Sequence, residues 1–172
     1  GSTSLKSTLP EYIVGKMLSL TEKSYNDQIL RETLWNSKAL SSDVTAAMNP
    51  VYKSVHDIEN VARLSYGLAF AKYTGSRGKS MANDADAEFI QEIRQIFDKN
   101  EIKYQSGGFG KVDEGGGGTV AKFLAYYGIR TIDAGPALLS MHSLFEISSK
   151  ADLYETYRAY KVFFELDWGK SR

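Results

Sequence analysis

The chain has 172 residues, 21 Lys and Arg against 21 Asp and Glu for a formal net charge of zero, and no cysteine. That length holds one domain with a proper core, and the charge balance gives no general attraction to nucleic acid or to an anionic membrane. Disulfides and thiolate metal sites are excluded, so any metal must be held by His, Asp or Glu. With only His56 and His142 present, carboxylates would supply most of the ligands.

No apolar run approaches the roughly 18 residues of a membrane span, and the first residues lack the charged and apolar blocks of a secretory signal. A soluble, cytoplasmic protein is expected. The opening GSTSLKST is small and polar and reads as a loop. From there Leu9, Ile13, Met17 and Leu20 recur at helical spacing, with Ser7 or Thr8 as N-cap and Pro10 tolerated in the first turn. A second helix is expected over 26–35, where Ile29, Leu30 and Leu34 share a face.

Lys38 to Val44 is a short strand-like segment that carries a carboxylate, Asp43, near its end. Strand ends are where α/β proteins place their chemistry. The competing account of Asp43 is a solvated turn or N-cap aspartate. Asn49 and Pro50 signal a turn, and His56, among charged neighbours, reads as an exposed or core-satisfied histidine. Leu64 to Thr74 is read as one strand, running into a polar loop, GSRGKSMANDADAEF. GSRGKS superficially resembles a phosphate loop but lacks its first glycine, because Tyr73 stands there.

Asn83 or Asp84 is expected to cap a helix reaching Lys99, with Phe89, Ile93, Ile96 and Phe97 on its buried face. A short strand over 102–105 leads to four consecutive glycines, Gly115 to Gly118. With no Cβ in the way, such a run lets a ligand or another backbone approach closely. A helix over 120–127 closed by Gly128, strands over 129–133 and 138–142, and a last helix from Ala151 to Leu166 complete the chain. The aromatic stripe of that helix, Tyr154, Tyr157, Tyr160, Phe163 and Phe164, reads as core or subunit contact. Helices interleaved with short apolar strands predict an α/β fold: three layers, with a mixed sheet covered by helices on both faces.

Two chemistries compete at the glycines. Gly116, Gly118 and Ala121 satisfy G-x-G-x-x-A, with Asp133 as a possible ribose partner, but KVDE is not the apolar strand that a dinucleotide site needs before its first glycine. Metal-assisted hydrolysis instead needs fixed ligands and donors for an oxyanion, and Asp43 and His142 each close a strand-like segment. Two ligands are too few for a pair of metal ions.

The strings SSDVTAAMNPVY, KYTGSRGKSMANDADAEF, GKVDEGGGGTVAKFLA, LLSMHS and SKADLYETYRAYKVFFE, in this order between about Ser37 and Glu165, closely resemble the C-terminal part of the aminopeptidase I and aspartyl aminopeptidase family. The resemblance implies a catalytic domain holding two divalent metal ions, expected to be zinc, that releases residues from peptide N-termini and assembles as a dodecamer. It implies Asp43 as a ligand of one metal and His142 as a ligand of the other. Lys72 would lie near the substrate side-chain pocket, and Gly116, Gly117, Gly118 and Thr119 would line the substrate cleft. The family's upstream histidine ligand, bridging aspartate and Glu-Glu pair have no counterpart here. GSTSLKST resembles the segment immediately C-terminal to that pair, so residues 1–172 are expected to be a C-terminal segment cut just after it, inactive alone. Ala46 and Asn49 replace histidines of the aspartyl branch, which places the sequence nearer the aminopeptidase I branch. A non-catalytic assembly module built on the aromatic C-terminal helix, and a nucleotide-binding module, are the alternatives.

Overall fold

A computed structural model describes residues 2–108 and 110–169. Four strands form the central sheet, β1 (Lys38–Ser41), β7 (Arg130–Gly135), β3 (Leu68–Ala71) and β6 (Tyr104–Ser106), in the order β1-β7-β3-β6. The sheet is mixed: β1 runs parallel to β7, β7 antiparallel to β3, and β3 parallel to β6. Beyond a bend, β1 continues into β2 (Thr45–Ala46) and β7 into β8 (Ala137–Leu139). These two again pair in parallel, with β9 (Ile147–Ser148) added outside. A separate hairpin joins β4 (Tyr73–Ser76) to β5 (Ser80–Asp84).

Alternation along the strands divides the central sheet into two unlike faces. Leu68 and Phe70 of β3 and Ile132 and Ala134 of β7 point to one side. There they pack with Phe89, Ile93 and Phe97 of α3 (Ala87–Lys99) and with Ala159 and Phe163 of α5 (Lys150–Glu165), all buried. The intervening residues, Ser41, Ala71 and Asp133, point to the other side, where α4 (Ala121–Tyr126) packs on β7, β1 and β5. Helices therefore cover both faces, as the interleaved pattern predicts. At the chain start, Asn26 caps α2 (Asp27–Trp35) by accepting the Ile29 N–H at 3.0 Å. The apolar stripe of α1 (Leu9–Thr21) forms as expected, yet Ile13, Met17 and Leu20 stay exposed. Neither Ser7 nor Thr8 caps α1 through its side chain in the expected way: Thr8 is the N-cap residue without a side-chain bond, and Ser7 Oγ accepts only from Leu9 N–H.

Four expectations are corrected. The stretch 64–74 is not one strand: pairing begins only at Leu68, because the Ser65 and Gly67 N–H groups donate to the Asp152 carboxylate at 2.8 and 2.7 Å instead of to a neighbouring strand, and it breaks at Lys72, after which a separate strand begins at Tyr73. The polar loop after it is the β4–β5 hairpin, turned at Arg77 and Gly78, both with positive φ. Its residues are too polar for an alternating pattern to show in sequence. Since β5 continues through Asp84, the cap of α3 falls to Asp86, whose side chain accepts from Phe89 N–H at 2.8 Å. Finally, β8 stops at Leu139, since Ser140 (φ 59°) and His142 (φ 67°) adopt left-handed backbone and Ser143 N–H closes a turn onto Ser140 O at 2.9 Å.

Candidate functional site

Asp43 lies two residues past the end of β1, at the bend between the central sheet and β2. Its own N–H donates to Ser41 O at 2.9 Å and its Oδ1 accepts from Val44 N–H at 2.9 Å, so the bend is held by the side chain itself. The register of β1 with β7 and of β2 with β8 has the same offset, which sets Asp43 level with Gly135. A Cβ at Gly135 would fall 2.0 Å from Asp43 O, so the close approach of the two chains requires glycine there.

Asp133, two residues earlier on β7, is 5% exposed and pairs with Ser41 on one side and Ala71 on the other. The hydroxyls of Ser41, Thr119 and Thr74 surround its carboxylate, Thr74 Oγ1 donating to Oδ2 at 3.4 Å. Burial pushes the carboxyl above the ordinary aspartate value. The hydroxyls oppose that shift, and the charge of Asp43 adds to it. Oδ1 and Ser41 Oγ are buried with no hydrogen-bond partner of good geometry. On the core side of the same strand, the Tyr160 hydroxyl donates to Ala134 O at 2.5 Å, and burial raises its pKa.

The glycine loop reaches this point through Thr119, which is buried and accepts from Ala121 N–H at 3.3 Å as α4 begins. A Cβ on Gly118 would stand 2.2 Å from Met81 Cβ, so the bare loop lies directly on the hairpin. Gly116 and Gly118 are exposed and Gly117 half-buried. Lys72 follows Ala71, the strand partner of Asp133; its exposed ammonium pairs with Asp84, and its carbonyl accepts from Ala85 N–H at 2.8 Å.

The fold thus brings Asp43 and Thr119 to Asp133, with Lys72 one residue past its strand partner Ala71. His142 comes in differently. It lies three residues beyond β8 in an exposed turn, its N–H donating to the Glu146 carboxylate at 2.6 Å. No hydrogen bond or ion pair joins it to Asp43 among the described residues. His56 is buried, with Nε2 accepting from Asn49 N–H at 3.2 Å, which agrees with a core-satisfied histidine except that Nδ1 has no partner; burial lowers its pKa.

No group of three or more His, Asp or Glu side chains among the described residues could hold a metal. The half-buried Asp43 carboxylate and the exposed His142 imidazole are nevertheless donors of the type zinc takes. Asp133, Ser41 and Thr74 were not legible as a group, since three strands distant in sequence bring them together. The one available signal was an acid inside the apolar run IRTIDAG.

The family model described as aminopeptidase I zinc metalloprotease (M18) matches residues 1–164. A probable M18 family aminopeptidase 1 from Borreliella burgdorferi is 58% identical over 165 residues, 95% of this chain and 36% of that protein. Among solved structures, an M18 family aminopeptidase from Thermotoga maritima superposes with a TM-score of 0.90 at 46% identity, covering 99% of this chain and 37% of the other. Aminopeptidase I from Clostridium acetobutylicum gives a TM-score of 0.83 at 48% identity, over 96% and 35%. The chain spans little more than a third of the length of these relatives.

Proposed function

The chain belongs to the aminopeptidase I zinc metalloprotease family, and from that premise we propose that it forms part of a catalytic domain that releases N-terminal residues from peptides with two divalent metal ions, zinc in the native protein. The observation that carries this reading is Asp43, a half-buried carboxylate fixed by its own bend, whose charge acts on Asp133 where the glycine loop ends at Thr119.

In this reading Asp43 holds one ion and His142 the other. Zinc, when bound, supplies water acidified to a pKa of about 7 and positive charge to offset a tetrahedral oxyanion. The glycine loop, having no side chains, lets the peptide lie against main-chain groups, and Thr119 anchors its end. In the same reading Lys72, whose ammonium pairs with Asp84, meets the substrate side chain. The general base and the remaining ligands lie outside these 172 residues, so the segment alone does not hydrolyse peptides.

Two experiments test this. The complete protein should cleave aminoacyl anilides and lose that activity in chelator; activity indifferent to chelator would overturn the metal chemistry. Calorimetric titration of residues 1–172 with zinc should show no tight binding of two ions, and tight binding of two would overturn the partial site.

We also propose that the protein self-associates, up to a dodecamer. Tyr12, Ile13, Met17 and Leu20 of α1 and Tyr154, Tyr157 and Phe164 of α5 are exposed, and apolar surface on this scale favours association. Sedimentation of the complete protein as a monomer at micromolar concentration would refute it.

A further inference from the structure

We propose that Asp133 is a positioning residue that fixes the glycine loop against the Asp43 bend. The inference rests on the proposed aminopeptidase function and assigns a role to a side chain that reading does not use. Expected site residues lie on four segments, and three of them, all but the turn that carries His142, meet Asp133. β1, which leads to Asp43, presents Ser41 opposite it in the parallel ladder. β3 presents Ala71 opposite it in the antiparallel ladder, and the chain then passes through Lys72 to Thr74, whose hydroxyl donates to Oδ2. The glycine loop ends in Thr119, whose hydroxyl faces the same carboxylate while accepting from Ala121 N–H.

Stability alone does not call for an acid here. A carboxylate 5% exposed, beside a second carboxylate and with one oxygen left without a partner, costs folding free energy that a neutral residue would not. Local rules broken in this way concentrate where geometry serves function. A carboxylate can accept from all three hydroxyls at once, whereas an amide of the same shape can accept only at its single oxygen. Asp133 therefore adds the end of the glycine loop, which is outside the β1-β7-β3 ladder, to the two strands that lead to Asp43 and Lys72, and it acts on substrate only through the loop and the bend.

The test uses the complete zinc-loaded protein. Asp133→Asn should raise KM about tenfold and leave kcat within about twofold, because the loop that receives the peptide is displaced while the reacting groups stay. Thr119→Val should do the same, Thr119→Ser should restore the wild-type KM, and the double variant Asp133→Asn/Thr119→Val should be no worse than Asp133→Asn alone. Should Asp133→Asn fail to fold, the Val and Ser pair at 119 decides the matter. A readout without catalysis is hydrogen exchange of the metal-free protein: amides 115–119 should exchange faster in Asp133→Asn, while those of 89–97 in α3 stay unchanged. An unaltered KM in the folded variant, multiplicative effects in the double variant, equal behaviour of Val and Ser at 119, or an even rise in exchange would each overturn the proposal. Absence of zinc-dependent hydrolysis in the wild type would instead remove the functional reading, and the exchange pattern would still decide what Asp133 holds.

Discussion

Among the described residues two aspartates are buried, and their surroundings differ. Asp152, in the first turn of α5, is fully buried; each carboxylate oxygen accepts one backbone N–H, from Ser65 and Gly67. Asp133 is nearly as buried, yet it faces only hydroxyls, leaves Oδ1 without a partner and lies within range of the charge on Asp43. Asp152 belongs to the helices that pack the core face of the sheet, and Asp133 to the face beneath the glycine loop. The contrast separates what holds the fold from what shapes the site: a satisfied buried charge stabilises, and one left partly unsatisfied marks a place where geometry matters more than stability.

Breaking the core face should give the largest effect. Phe97 of α3 is fully buried between the helix and β6, its ring 5.7 Å from that of Tyr104 and tilted 54° to it. Phe97→Ala should lower the unfolding free energy by about 3 to 5 kcal/mol, measured by urea denaturation. A loss under about 1 kcal/mol would mean that the core lies elsewhere.

Next comes the satisfied aspartate. Asp152→Asn keeps the shape but turns one acceptor into a donor facing a backbone N–H, and should cost about 2 to 3 kcal/mol by the same measurement. An unchanged midpoint would erase the distinction between the two aspartates. On the opposite face the pattern should reverse. Gly118→Ala places a methyl group against Met81 Cβ and forces the loop off the hairpin. It should cost only about 1 to 2 kcal/mol while raising the KM of the complete protein. Lost stability without a change in KM would place the loop outside the substrate path.

The smallest effect is a pH dependence. Burial lowers the pKa of His56 below the usual 6.5, so the folded state favours the neutral ring. Its contribution to stability is full above pH 6.5 and is lost as pH falls through the folded value. His56→Gln should flatten the unfolding midpoint against pH in that window, and an unchanged slope would assign it to other groups.

These contrasts also explain which parts were legible in the sequence. α3 could be read because Phe89, Ile93 and Phe97 repeat at the helical period against an apolar sheet face; in α5 the aromatic stripe gave the helix, but Tyr154, Tyr157 and Phe164 are exposed and the core is met by Ala159 and Phe163. The β4–β5 hairpin could not, because SMAND and YTGS have no apolar alternation and their pairing depends on a turn at Arg77 and Gly78. Asp43 and His142 stood out through the strings around them. The fold then showed Asp43 held at a bend and His142 in a left-handed turn beyond its strand, a distinction set by backbone geometry that composition does not record. Asp133 needed three strands and a loop to meet before its surroundings existed.

The most direct test of the site is the zinc content of the complete protein in wild type, Asp43→Asn and His142→Ala forms, with circular dichroism to verify folding. Two ions per chain in the wild type and loss of at least one in each folded variant, together with loss of peptide hydrolysis, is the result expected. Full zinc content and turnover in either variant would remove that residue from the site, and in both would contradict the metal centre.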